Sequence, residues 1–138
     1  MNASEVVARL NVRETEITEK HRVCQISYDS QLGSERAAVL RRSGYEVISV
    51  YGNEAARVIL STTEQPCHAF IVGHGASQEQ RREMLLWLKE RFPTSRVIVM
   101  NGPGISPLPG ADYNVKLNGP ENLLPVIETA LGASYGAA

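Results

Sequence analysis

The sequence predicts a doubly wound α/β fold, in which one parallel five-stranded sheet is covered by helices on both faces. Short apolar runs alternate with segments of helical periodicity along the chain, and this alternation is typical of parallel strands joined by right-handed helical crossovers. The runs are apolar throughout, which indicates strands that are buried on both faces. A length of 138 residues fits a single domain of this kind.

The composition argues against several classes of function. The chain has 14 basic and 15 acidic residues, whereas generic nucleic-acid and membrane-surface binders need a basic excess. No apolar run is long enough to span a membrane and the amino terminus lacks a signal pattern, so we expect a cytoplasmic protein. Cys24 and Cys67 lie in apolar runs, and we expect buried free thiols in preference to a disulfide or a metal site.

The two ends of the chain differ from its middle. Residues 1–20 are polar and poorly periodic, and we interpret them as an amino-terminal arm that is partly disordered or forms a short helix. Residues 132–138 are rich in Gly, Ala and Ser, which is typical of a flexible tail. The domain itself is expected to span residues 21–131.

The first half of the domain predicts three strands and two helices. Gly44 stands where a helix terminator in the left-handed conformation is expected. In chain order these elements are a strand at Arg22–Ser27, a helix at Leu32–Arg42, a strand at Tyr45–Val50, a helix at Asn53–Leu60 and a strand at Ala69–Val72.

The second half contains the clearest helix of the chain. Ser77 and Gln80 have the spacing of a capping box, in which each side chain accepts from the other residue's backbone N–H. Pro93 ends this helix because proline disfavours helical geometry in the residue before it. The apolar face of this helix consists of Met84, Leu85, Leu88 and Phe92. Two further strands are predicted at Val97–Met100 and Tyr113–Leu117. A last helix is predicted through Leu123, Leu124, Ile127 and Leu131, with Pro125 in its first turn or at a kink.

In a parallel sheet a site is expected where the strands end. The order and spacing of the segments resemble the response-regulator receiver domain of bacterial phosphorelays, over about residues 21–131, which implies a flavodoxin-like, receiver-type fold. The resemblance rests on these segments: Ile26–Asp29, Leu32–Leu40 with Gly44-Tyr45, Ala69–Val72, Arg96–Met100, Ala111-Asp112-Tyr113, Lys116 and Gly119-Pro120-Glu121.

The resemblance also implies a phosphorylation pocket, and this chain departs from it. The acidic pair that holds Mg²⁺ in a receiver corresponds to Ser27 and Tyr28, with Asp29 next. The phosphoaccepting aspartate corresponds to Gly73, followed by His74. The Ser or Thr after the fourth strand corresponds to Asn101, and the family's lysine is kept as Lys116.

These departures predict a vestigial pocket that lacks aspartyl-phosphate chemistry. Phosphoryl transfer needs a carboxylate nucleophile and a divalent ion, but no carboxylate occurs from Cys67 to Gln78. We therefore expect a protein that is not an enzyme, with no catalytic residues, no metal and no cofactor. Asp29 is expected to be a helix-capping or loop aspartate, with a metal ligand as the alternative. Lys116 is expected either to bond Asp29 or to be a solvated loop lysine.

The family's fourth helix is also expected to be missing. Residues 102–110, between the fourth and fifth strands, contain three prolines and three glycines. Each proline removes a hydrogen-bond donor and each glycine adds chain entropy, so the segment predicts an irregular loop in place of that helix. In the family this surface carries phosphorylation-dependent dimerisation, and its loss puts the usual output in doubt.

The resulting hypothesis is a degenerate receiver-like signal-transduction module that acts by phosphorylation-independent protein–protein interaction. The expected partners are other signalling proteins or a second copy of the chain, without nucleic acid or membrane. Leu86 and Trp87 are the candidate contact, with ordinary helix packing as the alternative. Two other functions stay open. One is a small-anion or nucleotide sensor that uses the carboxyl ends of the strands, above Gly73–Ser77 and Asn101. The other is a phosphorelay receiver whose acceptor is Asp29 or His74.

Overall fold

The structure, a computed structural model, describes residues 21–116 and 123–135. Its elements in chain order are β1 (Arg22–Ser27), α1 (Ser30–Arg42), β2 (Glu46–Tyr51), α2 (Asn53–Thr62), β3 (Ala69–Val72), α3 (Gln78–Arg91), β4 (Arg96–Asn101), β5 (Tyr113–Lys116) and α4 (Leu123–Tyr135). The strands form one sheet in the order β2-β1-β3-β4-β5, and every neighbouring pair is parallel. The predicted fold class is confirmed.

The sheet separates two apolar cores, because alternate residues of each strand point to opposite faces. On one face α2 and α3 pack over a core that includes Phe70 and Val99. On the other face α1 and α4 pack over Ile71 and Ile98. Helices on both faces explain why the strands are almost wholly apolar.

Local signals set several of the helix ends. The Ser77 hydroxyl accepts from the Gln80 N–H at 3.1 Å, and the Gln80 side chain accepts from the Ser77 N–H, which completes the predicted capping box. Helix α3 ends at Arg91, ahead of Pro93. Gly44 follows α1 with φ of 99°, which is the predicted left-handed terminator.

Other boundaries differ by a few residues. Helix α1 begins at Ser30 and not at Leu32, because the Asp29 carboxylate accepts from the Leu32 N–H at 3.0 Å and so caps the helix two residues earlier. Helix α4 continues to Tyr135, so residues 132–135 of the predicted tail are helical. The arm at residues 1–20, Leu117 and residues 136–138 lie outside the described residues.

The segment between β4 and β5 is an irregular loop, as its prolines and glycines predict. The side-chain amide of Asn114 holds it, accepting from the Leu108 N–H at 2.9 Å and donating to the Leu108 carbonyl at 3.1 Å. The Leu108 side chain is buried in the core beneath α3. The loop therefore has a defined path although it has no helix.

Two further expectations concern single residue types. Cys24 and Cys67 are both buried and free, as predicted. Among the described helices, none has the length and apolar character needed to cross a membrane.

Candidate functional site

The carboxyl edge of the sheet brings the predicted pocket residues together. Gly73 directly follows β3, and its N–H donates to the Ile26 carbonyl of β1 at 2.9 Å. On the other side, Asn101 ends β4 and pairs in register with Lys116 of β5. The ends of four parallel strands therefore meet around Gly73, as expected for this fold.

The residues that correspond to the receiver's acidic pair do not face Gly73 with a carboxylate. Ser27 is buried under α1, where a Cβ added to Gly33 would lie 2.5 Å from the Ser27 hydroxyl oxygen. Tyr28 donates its hydroxyl to the Asn53 side chain, and burial raises the pKa of Tyr28 to about 12. Asp29 caps α1, as its ordinary interpretation predicts.

Arg36 lies next to Gly73 and was not among the predicted site residues. Its side chain extends from α1, is only 4% exposed, and donates from Nη1 to Gln25 Oε1 at 3.0 Å. That same Nη1 lies 3.5 Å from the position of a Cβ added to Gly73. A guanidinium therefore lies next to the point from which a phosphoaccepting side chain would extend.

A polar network holds Arg36 in place. Gln25 is fully buried within β1, and its Nε2 donates to the Gly33 carbonyl at 2.6 Å and to the Ser49 hydroxyl at 2.9 Å. Burial lowers the pKa of Arg36, and the nearby Asp29 carboxylate opposes that shift. The sequence did contain a signal, because Gln25 interrupts an apolar strand and Arg36 falls on the apolar stripe of the following helix.

Arg81 lies on the α3 side of Gly73 and is 2% exposed. It joins the ends of β3 and β4: Nε donates to the Gly73 carbonyl at 2.9 Å, and Nη2 donates to Asn101 Oδ1 at 2.8 Å and to the Met100 carbonyl. Nη1 donates to Gln78 Oε1 at 2.7 Å. Burial lowers the pKa of Arg81. Arg81 was not among the predicted site residues either, because its only sequence signal was an arginine on the buried side of α3.

His74 follows Gly73 and completes the group of basic side chains. Its Nδ1 is buried and has no hydrogen-bond partner among the residues that the structure describes. Burial, together with the positive charges of Arg36 and Arg81, lowers the pKa of His74, while Asp29 acts in the opposite direction. No group of three or more metal-binding side chains exists in the part of the chain that the structure describes.

The charge of this edge is the reverse of what Mg²⁺ requires. Two guanidiniums flank Gly73, and the ion pairs formed between described residues involve neither of them. Mg²⁺ is held by carboxylates and phosphate oxygens, whereas two buried positive charges raise the energy of any cation placed beside them. The residues around Gly73 therefore do not fit Mg²⁺.

The remaining two predicted pocket residues are engaged differently. The Asn101 side chain accepts from Arg81 and donates from Nδ2 to Asn114 Oδ1 at 2.9 Å, so both of its ends have protein partners. Lys116 is exposed at the end of β5. Among residues 21–116 and 123–135 there is no hydrogen bond between Lys116 and Asp29. Of the two expectations for this lysine, a solvated side chain therefore remains.

A cavity of about 670 Å³ opens beside Gly73, between the amino terminus of α3 and the loop that follows β4. Arg81 and His74 form its basic side, with the charge on Arg81, and Ile105 lies on the opposite wall. The cavity is lined by His74, Gly75, Ala76, Ser77, Gln78, Arg81, Gly102, Pro103, Gly104, Ile105 and Ser106.

The candidate partner contact on α3 is divided between surface and core. Leu86 is 53% exposed. Trp87 is half-buried, packs edge-on against Phe92 with ring centroids 5.9 Å apart, and has the Arg91 guanidinium 5.5 Å from its ring centroid. Leu86 is thus accessible to a partner, whereas much of the Trp87 ring packs against its own domain.

Sequence comparisons and structure comparisons give different results. No protein-family model and no curated protein matches the sequence. A CheY-like response regulator receiver domain protein from Methanospirillum hungatei JF-1 matches with a TM-score of 0.74 at 16% identity, over 86% of this chain and 99% of that one. The receiver domain protein from Clostridium thermocellum has a TM-score of 0.73, also at 16% identity, over 86% of this chain and 99% of that one.

A third match is the chemotaxis response regulator CheY4 of Vibrio cholerae, with a TM-score of 0.68 at 16% identity, over 81% of this chain and 99% of that one. Each relative is spanned almost completely by this chain. These structures show that the chain has the CheY-like receiver fold. At such identities the likeness concerns the fold alone.

Proposed function

We propose that this protein is a degenerate receiver-like module that acts in signal transduction by binding other proteins, without being phosphorylated itself. The observation that carries the proposal is the Arg36 guanidinium, which lies 3.5 Å from the Cβ position of Gly73. A positive charge thus stands beside the position where a working receiver has its carboxylate nucleophile.

Phosphoryl transfer on this fold would need two things that the edge does not supply. A carboxylate must attack phosphorus, and Gly73 has no side chain. A divalent ion must neutralise the phosphate charge, but Ser27 and Tyr28 offer hydroxyls that already pack against the protein, and Asp29 caps α1. Two buried arginines then disfavour the ion further.

A binding function is supported by surfaces that the usual output of the fold does not use. The loop at residues 102–112 replaces a helix with an ordered irregular segment, and Leu86 presents an exposed apolar side chain on α3. Contiguous exposed apolar patches mark partner contacts, and Leu86 with the accessible part of Trp87 is the patch that we propose on α3. The partners we propose are other signalling proteins.

The phosphorylation half is tested by mass spectrometry of the intact chain after incubation with acetyl phosphate and Mg²⁺. The expected result is an unchanged mass. NMR spectra recorded with and without Mg²⁺ in the presence of beryllofluoride should also coincide at Gly73 and Asn101. A phosphoryl adduct at any residue would contradict the proposal, and peptide mapping to Asp29 or His74 would establish the unusual-acceptor alternative.

The binding half is tested by affinity capture with the wild-type chain and two variants of α3. Leu86→Arg places a charge on the exposed apolar position, and Trp87→Ala removes the neighbouring ring. We expect Leu86→Arg to lose the captured signalling partner, and the wild type to capture it equally with and without acetyl phosphate. Recovery of the same partners by all three proteins would exclude this patch as the contact.

A further inference from the structure

The cavity beside Gly73 lies apart from the candidate partner contact at Leu86, although the loop after β4 forms one of its walls. It lies at the carboxyl edge of the parallel sheet, where ligands bind in open α/β folds. Its volume of about 670 Å³ is within the range of pockets that hold small organic molecules. The cavity is separate from the Leu86 surface, so an inference about it does not depend on that contact.

The charge of Arg81 is the first observation that points to a ligand. Arg81 is only 2% exposed, and the four hydrogen bonds that its guanidinium forms to described residues go to neutral acceptors: two backbone carbonyls and the amide oxygens of Gln78 and Asn101. No carboxylate of the described residues lies within 4.0 Å of it. A buried charge without a counter-charge is unfavourable, and an anion in the cavity would offset that cost.

His74 supplies the second observation, and it is independent of the first. Its Nδ1 is buried beside the cavity and has no hydrogen-bond partner in the described protein. Buried polar atoms normally have a partner. An imidazole nitrogen at this place can donate to an anionic oxygen or accept from a protonated one.

The amino terminus of α3 adds donors to the same wall. Ser77 caps the helix, and Gln78 is its first residue; both line the cavity. The first N–H groups of a helix have no acceptor within it, and phosphate groups are commonly bound there. Together with His74 and the positive charge of Arg81, these groups make a wall of hydrogen-bond donors suited to a tetrahedral anion.

The opposite wall differs in character. Pro103, Gly104 and Ile105 belong to the loop after β4, and Ile105 is 47% exposed. From this division we infer that the cavity binds a phosphate monoester without covalent reaction. Its phosphate group contacts Arg81, His74 and the start of α3, and its organic part lies against Ile105.

The test is an NMR titration of the ¹⁵N-labelled full chain with inorganic phosphate, adenosine 5′-monophosphate and adenosine at constant ionic strength. Phosphate and the nucleotide should shift the amides of Gly75, Ser77 and Gly104 saturably, with a lower dissociation constant for the nucleotide. Adenosine should shift none of them. No saturable shift with phosphate and the nucleotide overturns the inference, and equal affinity for both overturns its organic part.

Matched variants separate a built site from general charge. Ser106→Glu adds a carboxylate at the cavity rim and should weaken phosphate binding about tenfold. Thr94→Glu adds the same charge in the exposed turn before β4, at the other edge of the sheet, and should leave binding unchanged. Equal weakening by both variants would overturn the inference.

Arg81→Gln should abolish phosphate binding by removing the central charge. Because Arg81 also joins two strand ends, the fold of this variant is checked by its NMR spectrum. If Arg81→Gln does not fold, the comparison of Ser106→Glu with Thr94→Glu decides alone. Binding leaves the mass of the chain unchanged, so this result is distinct from the test for phosphorylation.

Discussion

The two edges of the sheet differ in whether their charged side chains form ion pairs. At the amino edge, Arg22 pairs with Glu46 at 2.9 Å, and Asp112 pairs with Lys89 at 2.8 Å and with Arg96 at 3.9 Å. At the carboxyl edge, Arg36 and Arg81 are both at least 96% buried, and neither has a carboxylate within 4.0 Å among the described residues.

The ion-paired charges at the amino edge and the arginines at the carboxyl edge differ in what they contribute to stability. Ion pairs that are partly exposed contribute modestly to stability and cost little to form. A buried guanidinium without a counter-ion has a desolvation cost, which its hydrogen bonds to neutral acceptors offset as long as they are intact. The amino edge therefore neutralises its charges in ion pairs, while the carboxyl edge holds its charges by hydrogen bonds alone, and the proposed phosphate site rests on that arrangement.

The largest expected effect comes from Arg81→Ala. The change leaves the Gly73 and Met100 carbonyls and the Asn101 side chain without their donor, and it also leaves a void. We expect the free energy of unfolding to fall by about 3 kcal/mol or more. Urea denaturation measures the change, with the exposed neighbour variant Arg82→Ala, expected within about 0.5 kcal/mol of wild type, as control. A loss below about 1 kcal/mol would show that Arg81 does not hold this edge together.

A second comparison uses two helical glycines. In Gly33→Ala the new Cβ would lie 2.5 Å from the Ser27 hydroxyl oxygen, so α1 must shift at the carboxyl edge and stability should fall by about 1–3 kcal/mol. Gly132→Ala in α4 meets open space and should gain up to about 1 kcal/mol from helix propensity. Thermal unfolding measures the stability change of each variant, and a gain in stability for Gly33→Ala would refute the close packing of α1 against Ser27.

At the amino edge, Asp112→Asn should cost about 1–2 kcal/mol. Asp112 Oδ2 accepts from Lys89 Nζ at 2.8 Å and from the Val97 N–H at 2.7 Å, and hydrogen bonds to a charged group are the stronger ones. Glu46→Gln is the control, since Glu46 is half-exposed and its pair with Arg22 should contribute at most about 0.5 kcal/mol. Equal losses in urea denaturation would mean that the negative charge of Asp112 adds nothing to its contacts with Lys89 and Val97.

The smallest expected effect is a pH dependence at His74. Its pKa is lowered in the folded state by burial and by Arg36, so below about pH 6.5 the unfolded chain binds a proton that the folded chain resists. Stability should therefore fall as the pH decreases through that region. His74→Gln should show a shallower fall in chemical denaturation between about pH 7.5 and 5.5. An unchanged slope would show that His74 does not titrate differently in the folded protein.

Much of the fold could be predicted because its signals are local. The capping box of Ser77 and Gln80, the terminator Gly44 and the proline after α3 act on neighbouring backbone groups, so short stretches of sequence contain them. The irregular loop after β4 was predictable for the same reason. Boundaries moved by a few residues where a cap such as Asp29 extended a helix.

By itself the sequence determined the alternation of strands and helices and the absence of a side chain at position 73, since both can be read without knowing what lies nearby. Only the tertiary structure decided which charges surround that position. Arg36 and Arg81 are 45 residues apart along the chain, and they flank Gly73 because α1 and α3 pack on opposite faces of the same sheet. A side chain's partners across a sheet depend on strand order and helix packing, and no local pattern contains that information.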